Sequence, residues 1–349
     1  MIELLVDPSI DDGAEPTFRR IVERLRAATR TVEIRMFVWR SDAIGNAVAR
    51  EVLAAADRGV AVTIFKDLSA VLYERAEMNR KSLFNVGLPW RRRMWNRISG
   101  RTFPDTHVED AYDRSLGDAL LAHPRVRFEW VDHTHTKLWI FDERAILLGS
   151  INLEERHRRY RDIMVEIRGE EHVARLRSGA PVDRTRAIEF VHNPGIKREI
   201  LSMLAEAKRS VYVEMAYLGD PDVTAALTAT ARRGVEVKYL FSREANVGND
   251  LNYRTMSEIH RAGGARVFLS DRMVHSKLLK VDETVLLGSA NLSIFSLQKA
   301  QELDVRLRGL PGLDAEIARR LAAATPAGDE LRRYRSWVAA LQQWHQSRS

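Results

Sequence analysis

The apolar residues of the chain follow helical and strand periodicities in an order that occurs twice. In the first half, a helical pattern from Pro16 to Thr29 precedes the strand-like TVEIRMFVW, and a second helical pattern from Ala47 to Ala56 precedes a strand from Val60 to Phe65. The second half repeats this order, with helices predicted at 200–208, 223–231 and 253–262 and strands at 210–218, 235–240 and 265–269. Strands that alternate with helices predict an α/β fold, with mostly parallel sheets flanked by crossover helices.

The repeated order divides the chain into two similar halves. An Arg-Gly pair, at Arg58 in the first half and Arg233 in the second, ends a helix and leads into a strand that starts with Val. Charged and small residues from Gly169 to Asp183 mark a break between the halves. The predicted units are 1–172 for the first half, 173–325 for the second half and 326–349 for a C-terminal amphipathic helix.

The clearest signal is a stretch that the chain uses twice. It reads HTKLWIFDERAILLGSIN from His135 to Asn152 and HSKLLKVDETVLLGSAN from His275 to Asn291. In each copy a His and a Lys two residues apart lie on the same face of a strand, where they can bind an anion. The Gly-Ser-x-Asn that follows offers backbone amides, a hydroxyl and a carboxamide to phosphate oxygens. Two copies supply two imidazoles, one able to attack and one able to donate a proton, which suits a covalent phosphoryl intermediate.

These paired motifs resemble the HxKxxxxD and GSxN signature of the phospholipase D superfamily. Within it the chain is most similar to bacterial cardiolipin synthases without transmembrane helices, over nearly its whole length, including MFVWRSDAIG and RDIMVEIRG. The resemblance implies two phospholipase D-like halves with the active site between them. It also implies that six side chains converge on one phosphodiester: His135, Lys137, Asn152, His275, Lys277 and Asn291.

The resemblance implies roles for these side chains as well. It favours His135 as the nucleophile and His275 as the general acid and base, whereas the sequence itself leaves the two roles open. The lysines and asparagines are expected to hold the nonbridging oxygens as charge builds up in the transition state. Because cationic side chains neutralise the charge on the phosphate oxygens, we expect neither a metal nor a cofactor.

Each imidazole also needs a carboxylate that fixes its tautomer. In similar proteins this acid follows GSxN in a pattern like RSxxxNxE. That pattern points to Glu302, with Ser296 at the Ser position, and to Asp162 in the first half, where His157 replaces the Ser. Residues expected to support the substrate phosphate and the local structure are Ser150, Ser289, Asp142 and Asp282. For the two aspartates of this group we prefer a structural role, tying the turn behind the site.

The first half carries an insertion. Arg58 lies 77 residues before His135, whereas Arg233 lies 42 residues before His275, so 35 extra residues fall between about 71 and 116. The insert contains LFNVGLPWRRRMWNRISGR, in which aromatic, aliphatic and basic side chains interleave as at an anionic bilayer interface. The predicted membrane contacts are Trp90, Arg91, Arg92, Arg93, Trp95 and Arg97. A lid with a solvated basic face and a nucleic-acid surface are the alternatives.

A second apolar pattern lies at the C-terminus. It is a single helical stripe between Arg and Gln residues, formed by Leu331, Tyr334, Trp337, Val338, Leu341 and Trp344. Such a stripe favours packing on the core or on another subunit over contact with a membrane.

Composition narrows the class of partner without choosing one. The 349 residues include 55 Lys and Arg against 48 Asp and Glu, a net charge of +7 and a pI near 9.7, which favours phospholipid surfaces or nucleic acid. Cysteine is absent, which excludes disulfides and thiolate metal sites. The N-terminus lacks the features of a signal peptide, and no run approaches roughly 18 apolar residues. We therefore expect a cytoplasmic protein that is peripheral on the inner face of the membrane.

The function that the resemblance favours is phosphatidyl transfer. A phospholipid donor forms phosphatidyl-histidine, and the hydroxyl of a second lipid or small alcohol accepts the group. Transfer to water would make the same site a phospholipase D, and water exclusion decides between the two. A phosphodiesterase acting on DNA or RNA is the alternative of another class, although two motifs in one chain with a Trp and Arg insert make nucleic acid the less favoured partner. The oligomeric state stays open.

Overall fold

The computed structural model describes residues 1–6, 14–70, 74, 82–84, 114–245, 248–261, 263 and 265–348. Its strands are β1 (Ile2–Leu4), β2 (Thr31–Met36), β3 (Ala61–Asp67), β4 (Val126–Val131), β5 (Leu138–Phe141), β6 (Ala145–Gly149), β7 (Met164–Arg168), β8 (Ile188–His192), β9 (Ser210–Met215), β10 (Glu236–Ser242), β11 (Ala265–Ser270), β12 (Lys277–Val281), β13 (Thr284–Gly288), β14 (Leu303–Arg308) and β15 (Thr325–Pro326). Its α-helices are α1 (Glu15–Ala27), α2 (Ala43–Asp57), α3 (Arg114–Ala122), α4 (Glu170–Ser178), α5 (Gly195–Glu206), α6 (Pro221–Arg232), α7 (Asn249–Arg261), α8 (Ile294–Gln298), α9 (Leu313–Ala322) and α10 (Ser336–Arg348). Short 3-10 helices span Glu155–Arg159 and Asp329–Arg332.

Two sheets form the centre of the molecule. Within the described residues the first sheet has seven strands in the order β1-β7-β6-β5-β2-β3-β4, and the second has eight in the order β15-β11-β10-β9-β12-β13-β14-β8. Parallel pairing joins β2 to β3 and β3 to β4, and in the same way joins β9 to β10 and β10 to β11. The shared order of seven strands confirms an α/β fold made of two similar halves.

Each sheet is mixed rather than mostly parallel, which corrects the expectation from the sequence. The strand that follows each His-x-Lys, β5 or β12, pairs antiparallel with β2 or β9 and with the next strand along the chain. Only residues 142–144 connect β5 to β6, and only residues 282 and 283 connect β12 to β13. Such short connections allow a hairpin, whereas a parallel crossover needs roughly a dozen residues or more.

Three groups of buried side chains hold the protein together. Two of them lie between a sheet and its outer helices, one in each half. The third lies between the two sheets, where residues of β5, β6 and β7 meet residues of β12, β13 and β14. Fully buried members of this third group include Ile146, Val165, Val285 and Val305. The two halves therefore share one core, and the motif strands line it from both sides.

The segment that the sequence marks as a break between the halves contains the helix α4. Its Val173 and Leu176 pack into the core between the sheets. Glu170 and Glu171 occupy its first turn, where carboxylates interact favourably with the helix dipole. Most residues of this segment are charged or small, and only two of its apolar side chains reach the core. The sequence therefore suggests a break although a helix is present.

Most of the predicted insert lies outside the described residues, including Trp90, Arg91, Arg92, Arg93, Trp95 and Arg97, so membrane contact there stays a prediction. Leu83 and Phe84, which begin its apolar pattern, are buried in the core of the first half. The Phe84 ring packs against the rings of Trp39 and Phe128, with centroids 5.4 and 4.6 Å away. The start of the pattern is therefore part of the protein core.

The C-terminal helix α10 carries its large apolar side chains outward. Trp337, Leu341 and Trp344 are 70%, 55% and 52% exposed, whereas Ala339 is fully buried. Leu331 belongs to the preceding 3-10 helix and is buried. The two tryptophans and Leu341 therefore do not pack on the core, and packing of the stripe on another subunit stays a prediction. Along the part of the chain that the structure describes, no helix is both long and apolar enough to span a bilayer.

Candidate active site

Both His-x-Lys segments are held by backbone hydrogen bonds that cross between the halves. The His135 amide donates to the carbonyl of Gln301 at 2.9 Å, and the His275 amide donates to the carbonyl of Arg161 at 2.8 Å. Gln301 and Arg161 each directly precede the predicted acid of their own half. Each motif histidine is therefore fixed beside the acid of the opposite half.

His135 pairs with an acid of the second half. Its Nδ1 lies 3.0 and 3.1 Å from the two carboxylate oxygens of Glu302, and 3.0 Å from the carbonyl of Ser289. Glu302 also accepts hydrogen bonds from the hydroxyls of Ser289, at 2.5 Å, and of Ser296. Because only acceptors surround Nδ1, that nitrogen carries the proton and the lone pair of the neutral ring lies on Nε2.

His275 pairs with an acid of the first half. Its Nδ1 donates to Oδ1 of Asp162 at 2.9 Å, and Asp162 also accepts from the hydroxyl of Ser150 at 2.6 Å. Its Nε2 accepts a hydrogen bond from the ammonium group of Lys277 at 3.1 Å. The two histidines therefore have the same kind of support, but the lone pair on Nε2 of His275 is already engaged.

The first half adds a third imidazole that the second half lacks. His157 stands where the second half has Ser296. Its Nδ1 lies 2.6 Å from Oδ2 of Asp162, and its Nε2 lies 3.0 Å from Oε1 of Glu154. Burial disfavours a charged ring, but the two carboxylates outweigh burial and raise the pKa of His157. Both ring nitrogens face carboxylates, which favours the imidazolium form, and the amide nitrogen of Asn152 lies 3.3 Å from Nε2 as well.

The motif histidines are held in the opposite state. Burial lowers the pKa of His135, and Glu302 only partly offsets it. Burial and the neighbouring Lys277 bring the pKa of His275 well below its ordinary value. Burial also opposes ionisation of the acids, yet the imidazoles beside them keep the pKa of Asp162 and of Glu302 low. At pH 7 the site thus contains two neutral imidazoles on two carboxylates.

The motif lysines are buried beneath the histidines. Lys137 and Lys277 are 0% and 1% exposed, and each ammonium donates at 2.5 Å to the carbonyl of the His two residues earlier. Burial lowers the pKa of Lys277 to about 8 despite the nearby acids. Burial and the charge of Lys277 bring the pKa of Lys137 well below its usual value. An anion bound between the two ammonium groups would relieve this repulsion, so the pair suits a phosphate group.

An aromatic ring contacts both motif residues of the first half. Phe37 meets the ring of His135 edge-on, with centroids 4.7 Å apart, and its own centroid lies 5.1 Å from the Lys137 ammonium. The Phe37 ring therefore borders the site.

The asparagines and serines of the two motifs are buried. Asn152 and Asn291 are 4% and 6% exposed, in the loops that follow β6 and β13. Ser150 and Ser289 are fully buried. Their hydroxyls, expected to support the substrate phosphate, donate to the carboxylates described above.

Asp142 and Asp282 lie at the turns of the two motif hairpins. Asp142 accepts hydrogen bonds from the amides of residues 29–31 at 2.8–3.0 Å, and Asp282 accepts them from the amides of residues 208–210 at 2.9–3.0 Å. Burial opposes their ionisation, but these amides outweigh it and lower the pKa of both. The two aspartates therefore tie each turn to the strand beside it.

Three residues of the site could also hold a metal ion. Within the described residues, His157, Asp162 and His275 form a group whose ligand atoms lie within 4.8 Å of one another. The contacts that join them, at 2.6 and 2.9 Å, already share protons. A metal would have to displace these protons and would take the atoms that orient His275.

Sequence reasoning did not find the role of His157 or the crossed pairing of acids and histidines. The signal for His157 was its place in the pattern, where a titratable ring replaces a hydroxyl, five residues before Asp162. The crossed pairing leaves no signal in the sequence, because it depends on how the two halves pack.

Comparison with protein families finds a match over most of the chain. The family model described as cardiolipin synthase, PLD-like domain, matches residues 21–179 and 200–323. A cardiolipin synthase from Geobacillus sp. strain WCH70 is 24% identical over 335 residues, covering 88% of this chain and 64% of the relative. One from Alkalihalophilus pseudofirmus is 24% identical over 332 residues, covering 85% and 62%. The chain thus spans less than two thirds of the length of these relatives.

Solved structures share the fold. Phosphatidylserine synthase from Haemophilus influenzae Rd KW20 superposes with a TM-score of 0.67 at 13% identity, covering 97% of this chain and 91% of that one. Polyphosphate kinase from Porphyromonas gingivalis superposes with a TM-score of 0.58 at 14% identity, covering 100% and 53%. At such identities the likeness concerns the fold alone.

Proposed function

This chain belongs to the cardiolipin synthase, PLD-like domain family, and from that premise we propose that it is a phosphatidyl transferase. The enzyme takes a phosphatidyl group from a phospholipid donor and transfers it, through a phosphohistidine, to the hydroxyl of a second lipid or a small alcohol. The observation that carries the proposal is the crossed site, in which two neutral histidines, each on a carboxylate, flank two buried lysines.

In the first step, Nε2 of His135 attacks phosphorus and the bond from phosphorus to the leaving oxygen breaks. Two observations support this role for His135. No described residue donates a hydrogen bond to its Nε2, whereas the Nε2 of His275 accepts one from Lys277. The positive charge that develops on the attacking ring is stabilised by Glu302 through Nδ1.

His275 handles the protons. The charge of the bound phosphodiester counters that of Lys277 and so raises the pKa of His275, which can then give its proton to the leaving oxygen. In the second step the acceptor hydroxyl returns a proton to His275 while its oxygen attacks phosphorus and the bond to His135 breaks. Lys137, with the motif asparagines, stabilises the nonbridging oxygens.

The phospholipid substrates of this reaction are components of a membrane. We therefore place the enzyme peripherally on an anionic phospholipid surface, on the cytoplasmic side, consistent with its net charge of +7. When water takes the place of the alcohol, the same intermediate yields phosphatidic acid.

Lipid products test the proposal directly. Purified protein is incubated with phosphatidylglycerol vesicles, with and without phosphatidylethanolamine, and the products are separated by mass. Cardiolipin or another diphosphatidyl product is the expected result. Phosphatidic acid alone would make the protein a hydrolase, and turnover of DNA or RNA with no lipid product would overturn the choice of substrate.

Two variants test the roles of the histidines. A soluble phosphodiester with a p-nitrophenol leaving group needs no acid for the first step. His275→Ala should therefore release about one nitrophenol per site and keep the adduct, whereas His135→Ala should release none. His172→Ala, which alters a ring on α4 outside the site, should behave as wild type. A burst in His135→Ala instead of His275→Ala would reverse the two roles.

A further inference from the structure

We propose that α10 docks on an anionic phospholipid bilayer and holds the active-site mouth against it. The mouth is defined here by the loops 216–220 and 289–293, which follow β9 and β13. The inference rests on the proposed function, because docking would serve phosphatidyl transfer. The observations that support docking are separate, since they concern a helix that carries none of the reacting groups.

The helix α10 is attached to the protein through its polar residues. Gln342 accepts a hydrogen bond from the amide of Leu251 at 2.9 Å, and Gln346 donates to the carbonyl of Leu218 at 3.2 Å. Ala339, on the same inward side, is fully buried. Glutamines and a small residue therefore form the face that packs on the protein.

The opposite face is apolar and exposed. Trp337, Leu341 and Trp344 follow one another at spacings of four and three residues, which places them on one side of a helix. Their exposed fractions of 70%, 55% and 52% are the highest among large apolar side chains of the described residues after Met1. Amphipathic helices of soluble proteins bury such a stripe, whereas helices that lie in a membrane interface present it to the lipid. Tryptophan in particular prefers the depth of the lipid headgroups.

The segment that contains this face is basic, which favours an anionic partner. From Leu331 to Ser349 the chain has four arginines and no acidic residue. The side chains of Arg332 and Arg335 are 79% and 69% exposed, and each lies beside one acid, Asp329 at 3.5 Å and Asp250 at 3.2 Å. Each basic residue near an anionic bilayer strengthens binding by about fivefold.

A groove beside the helix has the same charge. It has a volume of about 720 Å³ and runs between α6, α7 and α10. Three arginines line it, Arg232, Arg254 and Arg261, against one acidic residue, Glu258. Its excess of positive charge suits the phosphates of lipid headgroups next to the apolar face.

The end of the helix is packed on the active-site mouth. Gln346 contacts the carbonyl of Leu218 and, through Oε1, the amide of Ile294 at 3.4 Å. Leu218 in turn forms a backbone bridge with Leu292, the residue after Asn291. A bilayer that receives the helix is therefore next to the loop that carries a motif asparagine.

A second copy of this chain is the other partner that could cover an apolar face. In a symmetric dimer the same patch meets itself, so the arginines around it would face their own copies. Anionic headgroups instead neutralise these charges. The charge pattern therefore favours lipid.

Vesicle flotation tests the docking. The triple variant Trp337→Ser, Leu341→Ser, Trp344→Ser alters only exposed positions and should keep the wild-type melting temperature. We expect it to bind vesicles of phosphatidylglycerol and phosphatidylcholine at least about tenfold more weakly than wild type. The matched control is Leu121→Ser on α3, which removes an apolar side chain that is 41% exposed elsewhere and should leave binding unchanged.

Turnover of two substrates separates this inference from the proposed function. The triple variant should lose at least about tenfold in turnover of vesicle lipid, yet hydrolyse or transfer monomeric short-chain phosphatidylglycerol at the wild-type rate. The docking would be overturned if the triple variant bound vesicles as tightly as wild type. It would also be overturned if wild type were a dimer and the triple variant a monomer that still bound vesicles. Vesicle binding that depends on the helix, without lipid turnover by wild type, supports docking and refutes the transferase.

Discussion

Replacing His157 with Asn would remove one positive charge from the acid that serves His275. The amide nitrogen of Asn comes close to the position of Nδ1, so Asp162 keeps a hydrogen bond while the imidazolium is lost. The negative charge of Asp162 then acts on His275 without the opposing positive charge of His157. We expect the pKa of His275 to rise in the variant.

The size of this change follows from one distance. The rings of His157 and His275 lie 4.7 Å apart between centroids. Two unit charges at that separation repel by about 3.5 kcal/mol at an effective dielectric constant of about 20. At 1.36 kcal/mol per pKa unit, this repulsion corresponds to a pKa change of about 2.6 units, and screening by water makes the change smaller. We therefore expect a rise of about 1 to 2.5 units.

The assay is the pH dependence of kcat/KM on a soluble phosphodiester with an alkyl alcohol as leaving group, whose departure needs the acid, and it reports the ionisations of the free enzyme. Because His275 must carry a proton to act as the acid, its titration forms the alkaline limb of the profile. That limb should move to higher pH by about 1 to 2.5 units in His157→Asn. Ser296→Ala removes the corresponding hydrogen bond from Glu302 without changing charge, and it should leave this limb in place.

The refuting result is a folded His157→Asn protein whose alkaline limb coincides with that of wild type. It would mean either that His157 carries no charge or that its charge does not reach His275. A thermal melt is the necessary companion measurement. The loss of a charge partner for Asp162 and Glu154 should itself cost about 3–5 kcal/mol of stability.

Two further predictions concern stability. Burial raises the pKa of Asp304 to about 8 against the amides of Ser289 and Ala290, so the folded protein holds a proton that the unfolded chain releases near its ordinary pKa of 3.8. The contribution of this proton to the free energy of unfolding has its full value below pH 3.8 and falls by about 1.4 kcal/mol per pH unit up to pH 8. Asp304→Asn should lack this slope when unfolding by urea is measured between about pH 5 and 8. An identical slope in both proteins would contradict this. Asp142→Ala and Asp282→Ala should each lower the free energy of unfolding by about 1–3 kcal/mol at pH 7, and the difference should shrink below pH 3.8 as the wild-type carboxylates titrate; no loss at pH 7 would refute the turn role.

Local patterns in the sequence were sufficient for the two-half α/β fold and for the identity of the motifs. Helical spacing, apolar strands and the Arg-Gly turns each depend on near neighbours, so they can be read along the chain. The fold prediction failed where strand direction mattered. The turn at 142–144 is too short for a crossover, and the length of the connection was the evidence available for an antiparallel hairpin.

Features that depend on packing between distant segments could not be read in the same way. The pairing of His135 with Glu302 spans 167 residues and arises because the two sheets share a core. The outward face of α10 is another example. Helical spacing predicts that Trp337 and Leu341 share a side, but not which side faces the protein. In this protein the glutamines face the protein, where Gln342 and Gln346 form hydrogen bonds with the backbone of Leu251 in α7 and of Leu218 in the loop after β9.

The two halves differ most at the position where the first has His157 and the second has Ser296, and this difference bears on mechanism. A double displacement needs one imidazole that attacks and another that carries protons, so two identical environments would serve it poorly. In a symmetric dimer of a single motif, both acids would have the same neighbours. Within one chain the two environments can differ: the carboxylate beside His275 contacts the ring of His157, whereas the carboxylate beside His135 contacts the hydroxyls of Ser289 and Ser296. We therefore attribute the proposed division of labour between the two histidines to this difference beside the acids, since both halves carry the same motif histidine and lysine.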